Sequence, residues 1–163
     1  MNPIARLLLL AAATAAVGLP AMGAPHETDA DVAALVKRDM AELVAGINAH
    51  DAVRATAHEA QDVISMEAGR PTSVGLENDR QGIGMAFKYN PDWKVRLIDE
   101  TVDVARSHDM AVYRATYWQD SSGKDGTPLT QKINLIAGFR HPAGKDWEIG
   151  WYIVSAMEPS HKK

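Results

Sequence analysis

Trp147-Glu148-Ile149-Gly150-Trp151-Tyr152-Ile153-Val154-Ser155-Ala156-Met157 is apolar or aromatic on both of its alternating sets of positions. Trp147, Ile149, Trp151 and Ile153 make one set, and Gly150, Tyr152, Val154 and Ala156 the other. A strand with water on one face alternates apolar with polar, so this pattern predicts a strand over 147–157 that is covered on both faces. Upstream, the period-two pattern persists. Strands are predicted over 130–141 and 110–119, joined by connections at 120–128 and 142–146 that are rich in Gly, Asp, Ser and Pro. Ser107-His108-Asp109 turns the chain before them, and over 93–104 Trp93, Val95 and Leu97 alternate with Lys94 and Arg96 until Ile98 breaks phase at a predicted bulge. Long strands joined by short turns make an antiparallel meander.

Ahead of the meander the period is helical. Val32, Leu35, Val36, Met40, Leu43, Val44 and Ile47 follow i, i+3, i+4 spacing over 29–49, with Thr28 or Asp29 as cap. Asn48-Ala49-His50-Asp51 breaks that pattern, and Asp51 can cap a second helix over about 52–59. Val63-Ile64-Ser65-Met66 reads as a short strand, ended by the turn residues Ala68-Gly69-Arg70-Pro71. Asn78 and Gln81 resemble a capping box for a third helix, which Asn90-Pro91-Asp92 ends. Helices segregated from an antiparallel sheet define an α+β domain.

The chain has 163 residues, a net charge of −4 and no cysteine. Arg6, the apolar run from Leu7 to Val17 and the small residues Ala21-Met22-Gly23-Ala24 follow the order of a secretory signal peptide. That run is shorter than the roughly 20 residues needed to cross a bilayer. Residues 1–24 are therefore expected to be a cleaved leader and 25–163 a single domain in the periplasm or outside the cell, without a stable membrane anchor. Only Arg6 of the 17 basic residues lies in the leader and all 21 acids lie beyond it, so the mature charge is −5. An acidic domain has no electrostatic reason to seek nucleic acid. The absence of cysteine excludes disulfides, thiolate metal sites and cysteine nucleophiles.

The element order, with Asn48-Ala49-His50-Asp51 after the first helix, Ser107-His108-Asp109-Met110-Ala111-Val112 before a strand and Trp147-Glu148-Ile149 opening the last one, resembles the nuclear transport factor 2-like superfamily. Within it the resemblance is to SnoaL-like and ketosteroid-isomerase-like proteins of bacteria, over about 29–157. It implies a strongly curved sheet wrapped around the long helix, forming a cone whose open end is a pocket, and a homodimer formed through the outer sheet face.

The same resemblance implies chemistry. In ketosteroid isomerases a carboxylate shortly after the second helix shuttles a proton beside a carbonyl, and an ungapped count from Asp51 puts Glu67 in that place. Leu43 stands where those enzymes present an oxyanion tyrosine, and leucine donates no hydrogen bond; Tyr113, Tyr117 or Tyr152 would have to supply the donor from the sheet. His58-Glu59-Ala60-Gln61-Asp62 imitates a zinc motif, but that motif needs a sustained helix and this one is expected to end near Glu59, so no metal is implied. No nucleophile elbow, phosphate-cradling loop or dinucleotide fingerprint occurs, so no cofactor is implied either.

Tyr113, Tyr117, Trp118, Asn134, Trp151 and Tyr152 remain as candidates for lining the pocket. Alternation on the second long strand sets Met110, Val112, Arg114, Thr116 and Trp118 against Ala111, Tyr113, Ala115, Tyr117 and Gln119, and does not say which set faces inward. The expected function is binding of a small, largely apolar organic molecule. The alternatives are an isomerase or cyclase with Glu67 as proton shuttle, and a dimeric interaction module with a vestigial pocket.

Overall fold

The computed structural model describes residues 27–122 and 126–157. The expected leader at 1–24 lies outside them. Helix α1 spans Asp29–Ala49 and opens in a capping box, in which Asp31 N–H donates to Thr28 Oγ1 and Thr28 N–H to the Asp31 carboxylate. Val32, Val36, Met40, Leu43 and Ile47 form its buried stripe.

Helix α1 stops at His50, which adopts the left-handed conformation with φ 54°. The residues around this stop tie the helix to the sheet. The Asn48 amide donates to Val95 O and accepts from Val95 N–H, at 2.9 and 2.8 Å, replacing the neighbour that an edge strand lacks. His50 Nε2 donates to Trp93 O, its ring stacks on Phe87, and Asp51 caps α2, Ala52–Ala55, by accepting from Arg54 N–H. Gly46 is what lets α1 and α2 meet, since a Cβ there would lie 2.3 Å from Ala55 N.

Helix α2 is shorter than the expected 52–59. Thr56 turns its hydroxyl back onto Ala52 O, the helix closes, and strand β1, Glu59–Glu67, begins four residues before the expected start. The remaining strands and helix are β2 (Ser73–Val74), α3 (Leu76–Tyr89), β3 (Lys94–Val104), β4 (Met110–Ser122), β5 (Pro128–Arg140) and β6 (Glu148–Ala156). The expected capping box of α3 does not form. Gly75, at φ 96°, is the N-cap, while Asn78 lies inside the helix and donates to Val74 O.

One six-stranded sheet runs β2-β1-β6-β5-β4-β3, antiparallel throughout except where β1 lies parallel to β6. The predicted bulge in β3 falls between Leu97 and Asp99. A second, unpredicted one lies in β6: Gly138 pairs with Trp151 and Phe139 with Ile149, which leaves Gly150 as an extra residue. The extra residue shifts the phase. Ile149, Tyr152 and Val154 share the inner face with Phe139, Ala137 and Leu135, and Trp151 and Ile153 share the outer face with Gly138 and Ile136. The core forms where the stripe of α1 meets Ala111, Tyr113, Ala115 and Tyr117 of β4, Ile133, Leu135, Ala137 and Phe139 of β5, and Ile149 of β6. This is an α+β fold, a curved sheet around a long helix.

Candidate active site

A cavity of about 380 Å³ opens between α1, α3 and the inner sheet face. Met40, Leu43, Ile47, Ile83, Ile133 and Leu135 give it apolar walls. Its polar corner is assembled from three elements. Glu59, opposite Ile149, and Ser65, opposite Tyr152, come from the β1–β6 pairing, and Asp79 comes from the first turn of α3.

Both carboxyls of the corner are buried, Glu59 at 7% exposure and Asp79 at 5%. Asp79 is fully provided for: Ser65 Oγ donates to its Oδ1 at 2.5 Å and Tyr152 Oη to its Oδ2 at 2.7 Å. Glu59 is not. No donor among the described residues reaches either of its carboxyl oxygens. Its near neighbour is the Asp79 carboxyl, and that contact becomes a hydrogen bond only when one of the two holds a proton. Burial first, and then the charge of Asp79, push the Glu59 carboxyl up to about 9, with Arg80 opposing the shift. At neutral pH Glu59 is therefore a protonated acid in the cavity wall. The same burial and the neighbouring carboxyls raise the Tyr152 phenol above its ordinary range, so that it stays a donor. Trp93 Nε1 is a second buried polar atom of the wall with no partner among the described residues.

The fold brings some of the expected site residues to this cavity and takes others away. Tyr117 and Tyr152 line it. Tyr113 faces the same side but is wholly buried beneath it, its hydroxyl 2.6 Å from that of Tyr117. Trp118, Asn134 and Trp151 are on the other face. Trp118 lies under the Lys132 ammonium, Asn134 accepts from Thr116, and Trp151 covers Gly138, where a Cβ would meet its indole at 2.2 Å. Glu67 stands at the rim, its side chain about half exposed and paired with Arg70 at 3.0 Å.

The zinc-like segment is divided by the strand it opens. Glu59 points inward, Asp62 pairs outward with Arg140, and His58 approaches Asp39 of α1 at 3.5 Å. No cluster of three or more possible metal ligands occurs among the described residues.

No model of a known protein family and no curated protein sequence matches the chain. Solved structures do match. A nuclear transport factor 2-like superfamily protein from Salmonella enterica serovar Typhimurium superposes with a TM-score of 0.71 at 11% identity, over 82% of this chain and 96% of the other. The chain has the nuclear transport factor 2-like fold. Two further structures with this fold are a ketosteroid isomerase-like protein from Erwinia carotovora atroseptica (TM-score 0.65, 20% identity, 77% of this chain and 96% of that one) and a nuclear transport factor 2-like protein of unknown function from Pseudomonas putida (TM-score 0.65, 15% identity, 82% and 92%). At these identities the likeness is one of fold. Within the nuclear transport factor 2-like cone, the carboxyl pair belongs to this chain's own residues.

Glu59 escaped sequence reasoning because a glutamate beside a turn reads as a surface residue. The irregular register between Glu59 and Ile64 also hid the inward phase of β1. Asp79 reads as an acid complementing the α3 dipole. The zinc-like segment contained Glu59, but only within a metal motif that the expected end of the helix set aside.

Proposed function

We propose that the protein is an exported, homodimeric enzyme that binds a small, largely apolar carbonyl compound in the cone and moves a proton on it. The observation that carries this reading is the buried Glu59 carboxyl, which no hydroxyl or amide donor among the described residues reaches, beside Asp79 in the cavity wall. A ligand oxygen placed beside protonated Glu59 exchanges the hydrogen bond to Asp79 for one to the ligand, and Asp79 stays held by Ser65 and Tyr152. Protonated Glu59 gives its proton to the carbonyl oxygen while the Asp79 carboxylate takes one from the adjacent carbon, which leaves an enol; reversal returns the ketone or its isomer. Ser65 and Tyr152 hold Asp79 in place for this step.

The proton shuttle is thus assigned to Glu59 and Asp79 rather than to the rim residue Glu67. Export rests on the leader-like N-terminus, and the dimer on the outer sheet face, where Trp151 lies beside the 38% exposed Ile136 and Ile153.

The test is hydrogen–deuterium exchange at the carbon next to the carbonyl of 1-tetralone in heavy water. Exchange should saturate with ketone, fall at least about 100-fold in Glu59→Gln, as loss of a general acid–base does, and persist in Glu67→Gln. Loss in Glu67→Gln with retention in Glu59→Gln would restore the rim carboxylate as the base.

A further inference from the structure

On the opposite wall of the cavity a chain of hydroxyls runs from Tyr117 to the surface. We propose that this chain makes Tyr117 a hydrogen-bond acceptor toward the cavity, so that the site selects apolar carbonyl compounds bearing a hydroxyl remote from the carbonyl. The inference rests on the cavity being the ligand site with Glu59 at the carbonyl end.

Tyr113 Oη donates to Glu100 Oε2 at 3.0 Å, and Glu100 Oε1 faces the Lys37 ammonium at 3.4 Å. A carboxylate can only accept, so the single hydroxyl proton of Tyr113 is committed to Glu100. The 2.6 Å contact between the two tyrosine hydroxyls must then be donated by Tyr117. Its proton points away from the ligand, and a lone pair is what remains for the cavity. Of these four residues only Tyr117 lines the cavity. Burial pushes its phenol up to about 12 and raises that of Tyr113 further, so both hydroxyls keep their protons across the physiological range.

The cavity is therefore polarised. Glu59, once a ligand oxygen displaces Asp79 as its acceptor, and the Trp93 N–H donate, and Tyr117 accepts. Tyr117 stands on β4 and the Glu59 corner lies along β1 and β6, with β5 between β4 and β6. Glu59 itself is on β1, three strand spacings or roughly 14 Å from β4, which a fused bicycle with oxygens at its two ends spans with a hydrogen bond at each.

The direction of the chain is set by Glu100, and it can be reversed. In Glu100→Gln, Lys37 keeps the amide oxygen and the amide NH2 faces Tyr113. Tyr113 then accepts from the amide and donates to Tyr117, and Tyr117 donates into the cavity. Tyr113→Phe reaches the same end differently, by freeing the Tyr117 proton.

The test is calorimetric or fluorescence titration with 6-hydroxy-1-tetralone and 6-methoxy-1-tetralone, whose remote oxygens differ in that only the hydroxyl can donate. The wild-type protein should bind the hydroxy compound about tenfold more tightly, one hydrogen bond with its desolvation penalty. Glu100→Gln and Tyr113→Phe should each reduce or invert that ratio, and Tyr117→Phe should erase it. A ratio near one in the wild type, or a ratio unchanged in both Glu100→Gln and Tyr113→Phe, overturns the inference and leaves the Glu59 reading intact. Failure of every tetralone to bind overturns the ligand-site reading and this inference with it. Binding is read without turnover, so an inactive but selective cavity would reject the proton-transfer step alone.

Discussion

Glu59 and Asp79 set two carboxyls against each other in the wall of a largely apolar cavity, and only Asp79 has hydroxyl donors, from Ser65 and Tyr152. That asymmetry decides which of them carries the proton. Two anions so close in a desolvated site repel, and the one without donors is neutralised. The corner thereby holds a proton donor beside a fixed anion at neutral pH, the division of labour that acid–base chemistry on a carbonyl needs.

The raised Glu59 carboxyl has a consequence for stability. Its folded value of about 9 lies above its unfolded one, so the folded state holds a proton that the unfolded state has lost. The contribution is most favourable below about pH 4.5, falls between there and about pH 9, and is flat above. Glu59→Gln removes this dependence. In urea melts its stability relative to the wild type should rise by roughly 1 kcal/mol per pH unit between pH 5 and 9. A difference independent of pH would show that Glu59 is ionised in the fold.

Asn48 satisfies both backbone groups of Val95 on the edge strand β3. Asn48→Leu keeps the side-chain bulk and removes both bonds. It should cost about 2 kcal/mol in a denaturant melt, a buried donor and acceptor being left partly unmet.

Gly46 and Gly138 are close approaches of different kinds. In Gly46→Ala the new Cβ meets the backbone of Ala55, which cannot move without separating α1 from α2. In Gly138→Ala it meets the Trp151 indole, which can swing away over the outer face. Both should destabilise, Gly46→Ala by about 3 kcal/mol and Gly138→Ala by less, the order being the informative result in parallel thermal melts.

The outer face of β5 and β6 presents Ile136 and Ile153 beside Trp151. Ile153→Lys should convert the proposed dimer to a monomer in light scattering while leaving the cavity's affinity for 1-tetralone within about twofold, because the side chain points away from it.

The long elements were legible because their signals are periodic. The stripe of α1, the β3 bulge and the strands of the meander follow from spacing alone, and the order of elements with Asn48-Ala49-His50-Asp51 carried the resemblance to the fold now found. What was not legible depends on single residues. One extra residue at Gly150 reverses the phase of β6, so its two apolar faces could not be assigned, and half of the expected lining residues, Trp118, Asn134 and Trp151, went to the outer face. The carboxyl pair depends on an α2 only four residues long, which delivers Glu59 to the start of β1.

The most direct test of Glu59 as the acid is the pH profile of deuterium exchange into 1-tetralone. The protonated carboxyl should sustain a plateau through neutral pH that falls as pH rises through about 9, and Glu59→Gln should lack both the plateau and the fall. A plateau that survives in Glu59→Gln would contradict the account.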